Sequence, residues 1–369
     1  MRIVVKIGSS TLTRGGRGPN RPLLVQLAAQ LARLREDGHQ LVLVSSGAVA
    51  CGRQTLPEAP APTTLRTRQA MAAIGQPLLM AVWAEMLGIY GVTAAQVLLT
   101  ATDLNSRSRW LLARNTFDAL LALGVIPIVN ENDTVAVDEI KFGDNDMLSA
   151  RVAGLVGAAR LVLLTDQDGL YDDDPRRNPE ARLVPAIDGR LPAALAGAAT
   201  SGGSGVGTGG MASKVQAAEL ARRSAAEVYI ARGDRADVLL TLDDPAQPKT
   251  RFAPIGTPLE ARKRYILAGR RADGRLTVDA GAVKALSGGS SLLPVGIRTV
   301  EGEFEAGDTV AVLDPEDHVI AYGLVAYPAV ELKQIAGLRS AAIAEKLPQP
   351  RGDEAIHRDD LVLASASGN

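Results

Sequence analysis

Five short runs of Val, Ile and Leu, spread over the first 255 residues and separated by longer segments of helical period, constrain this chain more than any other feature. Ile3 to Ile7, Leu41 to Val44, Val125 to Val129, Leu161 to Leu164 and Val228 to Ile230 read as buried strands. The alternation predicts an α/β domain, a three-layer αβα sandwich on a mainly parallel open sheet. Between the first two runs Leu24, Leu27, Leu31 and Leu34 recur at spacings of three and four, and Gly38 stands where that helix would end. The carboxyl ends of the strands run into polar segments: Gly8-Ser9-Ser10, Ser45-Ser46-Gly47, Asn130-Glu131-Asn132-Asp133 and Thr165-Asp166. Parallel strands carry these segments to one edge of the sheet, the edge where open α/β sheets bind ligands.

The pattern changes after Pro245 to Arg264, a stretch rich in proline and charge. Beyond it, short strands separated by glycine turns, such as Thr309 to Leu313 and Val319 to Gly323, predict a small β-barrel. The expected organisation is an enzyme domain over 1–255, a linker over 256–271, the barrel over 272–355 and a tail over 356–369. The tail is polar and turn-rich, with one apolar patch, Leu361-Val362-Leu363, that would dock or fray.

Lys plus Arg number 40 against 41 for Asp plus Glu, so no global charge draws the molecule to nucleic acid or anionic lipid. Any anion site must be local. Cys51 is the only cysteine; it reads as a small packed residue, allows no intrachain disulfide and suits a reducing compartment. The chain opens on the apolar strand Ile3-Val4-Val5 without the pattern of a signal peptide, and no window is expected to approach a membrane-spanning length. A cytoplasmic protein is the expectation.

The strongest local signal is the run Gly202 to Lys214, which holds six glycines and leads into a helical segment ending near Ser224. Glycines let backbone amides approach a phosphate, a helix N-terminus adds its dipole, and a lysine one turn in adds a full charge. A triphosphate fits such a loop; a bare linker would need neither the lysine nor the helix. It is not a Walker A loop, because Ser213 rather than glycine precedes Lys214. The dinucleotide pattern is matched by Gly205 to Gly210, with Asp234 further on, but only the Ala-rich segment Leu191 to Thr200 precedes it, not a buried strand.

Lys6 lies inside the first strand, immediately before the Gly8-Ser9-Ser10 turn. A lysine there is costly unless it meets an anion or a carboxylate, or snorkels to the strand edge. Two acidic clusters, Asn130 to Asp133 and Lys141 to Asp146, complete the inventory. Beside a phosphate site such clusters can bind Mg²⁺, orient lysines or hold the amino group of a substrate.

Taken together, the segments Val4 to Ser10, Val44 to Ala50, Val129 to Asp133, Phe142 to Asp146, Leu164 to Tyr171 and Gly207 to Lys214 resemble the amino acid kinase superfamily. Within it they are most similar to the members that phosphorylate the side-chain carboxylate of L-glutamate, the first step of proline biosynthesis. The resemblance implies that Ser46, Asp133 and Asn145 bind glutamate. It implies that Lys6, Thr165, Asp166 and the loop Thr208, Gly209, Gly210, Met211, Ala212, Ser213 and Lys214 bind ATP. Residues 272 to 349 are similar to PUA domains, including Gly307-Asp308 and Ile335-Ala336-Gly337, and a homo-oligomer inhibited by proline is implied as well.

The reaction so implied needs no general base, because a side-chain carboxylate with a reference pKa of about 4.3 is already ionised at neutral pH. Catalysis then consists of aligning two anions and neutralising charge on the transferring phosphoryl group. Lys6 and Lys214 are expected to supply that charge, Mg²⁺ to bridge the nucleotide phosphates, and Asp146 to hold the lysines. Related kinases acting on aspartate, acetylglutamate, carbamate or a nucleoside monophosphate share the fold physics. The Asn-Glu-Asn-Asp and Gly-Asp-Asn-Asp pair favours glutamate. A catalytically dead amino-acid sensor is disfavoured by the presence of both lysines and the glycine loop. RNA binding through the barrel is disfavoured by its charge: residues 272–355 carry seven Lys plus Arg against thirteen Asp plus Glu, a net of −6.

Overall fold

In the computed structural model, which describes residues 1–16, 18–136, 145–192, 195, 210–257, 272, 274–347 and 351–364, the first of two units, Met1–Gly256, is built on an eight-stranded sheet. Its strands are β1 (Arg2–Ile7), β2 (Gln40–Ser45), β3 (Ala94–Leu99), β4 (Ile126–Glu131), β5 (Arg160–Thr165), β6 (Ala186–Ile187), β7 (Glu227–Arg232) and β8 (Lys249–Phe252). They lie in the order β3-β4-β2-β1-β5-β7-β8-β6, and every pair is parallel except β7 with β8. The chain starts at the centre, builds outward through β2, then returns to lay β5 on the other side of β1. The switch in direction therefore straddles β1, and a crevice at the carboxyl ends of β2, β1 and β5 results from the topology.

The helices are α1 (Ser9–Thr13), α2 (Arg21–Glu36), α3 (Ala48–Thr55), α4 (Leu65–Gly88), α5 (Ala101–Asn105), α6 (Arg107–Ala122), α7 (Asn145–Leu155) and α8 (Met211–Arg223). α2 is the helix the leucine spacing predicts: Asn20 caps it by accepting from the Leu23 N–H, and Gly38, at φ +82°, follows its end. Because side chains alternate along a strand, β1 divides two cores. Ile3, Val5 and Ile7 join Leu41, Leu43 and residues of α2, α3 and α4 on one face. Val4 joins Val42, Val44, Leu161 and Leu163 with Phe117, Leu148 and Val215 on the other. Lys6 shares the second face with Val4, under α7 and α8.

All five strands read from the sequence are present, and three more are found. β3 is an edge strand of two alanines and a glutamine among its six residues, mostly half-buried, so it lacks the apolar run that marks a central strand. β8 reads Lys-Thr-Arg-Phe and buries only Thr250 and Phe252. β6 has two residues.

α4 corrects one expectation, since its 24 residues include a window long and apolar enough, by length and composition, to cross a membrane. Within this unit its Met71, Ala72, Leu79, Val82, Trp83, Met86 and Leu87 are buried instead. It lies against α3 almost backbone to backbone. A Cβ on Gly75 would stand 1.9 Å from the Ala48 carbonyl oxygen, and one on Gly52 would stand 2.0 Å from that of Met71. Neither obstacle is a flexible side chain. Gly75→Ala should therefore cost about 1–3 kcal/mol or more and move α3, with Ser46 and Gly47 at its start. Thermal unfolding of this variant beside Gly88→Ala, where nothing stands within 4 Å of the added Cβ, checks the expectation.

The second unit, Thr257–Asn369, holds a five-stranded sheet of β9 (Gly274–Val278), β10 (Ile297–Gly302), β11 (Thr309–Leu313), β12 (Val319–Leu324) and β13 (Leu361–Leu363). The order is β10-β9-β11-β12-β13. Its own core contains Leu276, Val310, Val312, Tyr327, Leu332 and Ile356. β13 is the apolar patch of the expected tail; it docks antiparallel to β12, with Tyr322 opposite Val362.

Candidate active site

Lys6 occupies the penultimate position of β1, opposite Val44 in β2 and Leu163 in β5. A strand flanked on both sides gives its side chain no lateral route to water. Its ammonium instead meets Asp146, in the first turn of α7, with Nζ 2.6 Å from Oδ1. The other carboxylate oxygen lies 3.1 Å from Lys214 Nζ, and Ser213 Oγ donates to the same oxygen at 2.7 Å. The side chains of Lys6, Asp146 and Lys214 are only 2%, 0% and 8% exposed. Burying charges costs several kcal/mol per ion, a cost offset only when the partners are close and well aligned. Here two cations share one carboxylate, which itself sits where the α7 dipole favours negative charge.

The other sequence-predicted residues fall on either side of this triad. Asn145, the first residue of α7, donates through Nδ2 to Ser46 Oγ and to Asn130 Oδ1, both at 2.9 Å. Ser46 follows β2, and its N–H donates to the Ile7 carbonyl at 3.1 Å. The chain then turns into α3 through Gly47, whose φ of +111° favours a residue without Cβ. Asp133 lies half-buried in the turn after β4. On the opposite flank, Thr165 ends β5 with its hydroxyl 3.0 Å from the Asp166 carboxylate, which is exposed. Gly210 caps α8, and Met211, Ala212 and Ser213 form its first turn ahead of Lys214. Thr208, Gly209 and the rest of the glycine run lie outside the described residues, as does Lys141 to Asp144.

Sequence reasoning missed several supporting groups. Asn130 accepts from Asn145 and from the Glu131 N–H, and donates to Gln76 Oε1 of α4 at 2.8 Å. Trp83 Nε1–H, fully buried, donates to Ser45 Oγ at 2.9 Å. Asn130, at the end of β4, stood in a polar cluster read from the sequence, though not its bonds to Asn145 and Gln76; nothing local marked Gln76 or Trp83, which arrive from a helix distant in the chain.

A lysine-carboxylate-lysine triad between two polar clusters, at the switch point of an αβα sheet, has the parts of a phosphoryl-transfer site. The model of the Amino acid kinase family matches residues 1–232. The chain belongs to the amino acid kinase family. A PUA domain model matches residues 274–347, within the second unit. The chain is 51% identical over 366 residues to a glutamate 5-kinase of Herpetosiphon aurantiacus, covering 98% of each chain. It is 49% identical to that of Deinococcus radiodurans, covering 98% of this chain and 100% of the relative. It is 47% identical to that of Shewanella amazonensis, covering 100% and 97%. Membership of this kinase family implies the use of ATP.

The donor set bears on which metal ion the site accommodates. Both Asp146 oxygens face ammonium groups, and among the described residues no group of three His, Cys, Asp or Glu side chains is arranged to hold a metal ion. Such a site fits a Mg²⁺ ion held mainly by phosphate oxygens and water, as this cation prefers.

Cys51 is fully buried, and burial pushes its thiol up to about 11. It is packed and inert, as its small size predicted.

Proposed function

We propose that this protein transfers the γ-phosphoryl group of ATP to the side-chain carboxylate of L-glutamate, giving L-glutamyl 5-phosphate, the first committed step toward proline. The observation that carries the reading is the convergence of Lys6 and Lys214 on Asp146 between the Ser46–Asn145 pair and the Thr165–Asp166 pair. Full-length relatives of the same name support the choice of acceptor.

In this reading Ser46, Asp133 and Asn145 hold glutamate on the β2 and β4 side. Thr165 and Asp166, on the β5 side, hold ATP together with the residues Thr208 to Lys214. Lys6 and Lys214 neutralise charge on the phosphoryl group in flight, and Asp146 fixes where their ammonium groups stand. The acceptor arrives ionised, so no residue acts as base. Mg²⁺, carried by the nucleotide, would supply further charge neutralisation. The protein is read as a cytoplasmic homo-oligomer that proline inhibits.

Two ligands on separate flanks should be separable by mutation. Asp133→Ala and Asn145→Ala are expected to raise the Michaelis constant for glutamate by about tenfold or more, the worth of one buried polar contact, and to leave that for ATP within about twofold. Steady-state kinetics with each substrate varied in turn measures this. A parallel rise in both constants would remove the division of the site.

A further inference from the structure

We propose that the corner Arg232-Gly233-Asp234, where β7 ends, is a brace that sets the gap between the α1 segment and Thr165–Asp166. This makes the three residues positioning residues for the nucleotide. The inference rests on the reading of Thr165 and Asp166 as nucleotide ligands, and goes beyond it by naming what holds them.

Three observations join at this corner. The Gly233 N–H donates to the Thr165 carbonyl at 2.8 Å. A Cβ on Gly233 would stand 2.6 Å from Thr11 Cγ2 and 3.1 Å from Leu164 Cβ, so this glycine packs between α1 and the end of β5 with no room for a side chain. Asp234 then ties the far side, accepting from Arg14 Nη2 at 2.7 Å and from Arg232 Nε at 2.9 Å. Arg14 follows α1 directly and sits at φ +46°, a left-handed backbone unusual for a residue with Cβ. That backbone closes α1, with the Arg14 N–H donating to the Ser10 carbonyl at 2.8 Å, and from this fixed corner the side chain reaches Asp234.

The chain of charges continues into the loop after β5. Arg232 lies 4.0 Å from Asp168, and Arg235 Nη2 donates to Asp168 at 2.9 Å. Each guanidinium thus already faces a carboxylate of the protein. That arrangement suits a brace between segments better than a direct phosphate site, which would turn the guanidiniums toward the ligand. Burial works against ionisation of Asp234, yet the hydrogen bonds from Arg14 and Arg232 hold its carboxyl below the usual range.

The test uses the full chain and four variants: Asp234→Asn, Asp234→Glu, Gly233→Ala and Asp166→Asn. Asp234→Asn should raise the Michaelis constant for ATP about threefold to tenfold, the range expected when two partly exposed ion pairs weaken. Turnover and the constant for glutamate should stay within about twofold, and Asp234→Glu should restore most of the loss. Gly233→Ala should act in the same direction and more strongly; should it fail to fold, Asp234→Asn carries the test. A purely structural role would lower the melting temperature without this separation of substrates. An Asp234→Asn protein with an unchanged ATP constant, or with both constants raised alike, overturns the brace. Asp166→Asn separates the two layers. If it raises the ATP constant and Asp234→Asn does not, the brace alone falls; if neither does, the nucleotide reading falls with it.

Discussion

Lys214→Ala should lower turnover by about 10²- to 10³-fold, the scale on which loss of one preorganised electrostatic contact to a transition state acts. The Michaelis constant for ATP should rise far less. Lys214 lies one turn into α8, almost fully buried, with its ammonium 3.1 Å from Asp146. Ground-state ATP is bound by many groups, but charge shifts on the phosphoryl group as it leaves, and only contacts that strengthen at that moment raise turnover. A variant that keeps its maximal rate and loses only ATP affinity would take Lys214 out of the chemistry.

The largest effect on stability should come from Asp146→Ala. Removing the shared carboxylate leaves two lysines buried near one another, and breaking a buried pair in this way costs about 3–5 kcal/mol. For a unit of this size the melting temperature should fall by roughly 6–20 °C, and turnover should collapse with it. Replacing the whole triad, as Lys6→Met, Asp146→Leu and Lys214→Met together, should recover much of the stability and none of the activity, since well-packed apolar groups avoid the desolvation cost. Calorimetry on the single and triple variants checks both statements. An Asp146→Ala protein with unchanged melting temperature would mean that the lysines find other carboxylates.

The triad also marks how far the sequence reached. Lys6 in an apolar strand demanded a counter-charge, and Asp146 sat in a visible acidic cluster, so both halves of the 2.6 Å pair were legible. Their meeting was not, because it depends on which face of β1 lies under α7, a matter of strand order rather than local pattern. The central strands could be read because each is buried on both faces. β3, β6 and β8 could not, being short, half-buried or charged at alternate positions. Nothing in the local sequence marked Gly52 and Gly75; only the backbone contact between α3 and α4 gives them meaning. The same holds for Gln76 and Trp83, which bond to Asn130 and Ser45 from a helix that the sequence reading did not single out.

The central claim is that glutamate accepts the phosphoryl group, and ADP release tests it most directly. Purified protein with ATP and Mg²⁺ is offered glutamate, aspartate, acetylglutamate, carbamate and uridine monophosphate in turn, with hydroxylamine present to trap any acyl phosphate. ADP release matched by trapped acyl product with glutamate, and near background with the others, is the predicted result. Faster turnover on another acceptor, or ADP release with glutamate that yields no trapped acyl product, would contradict it.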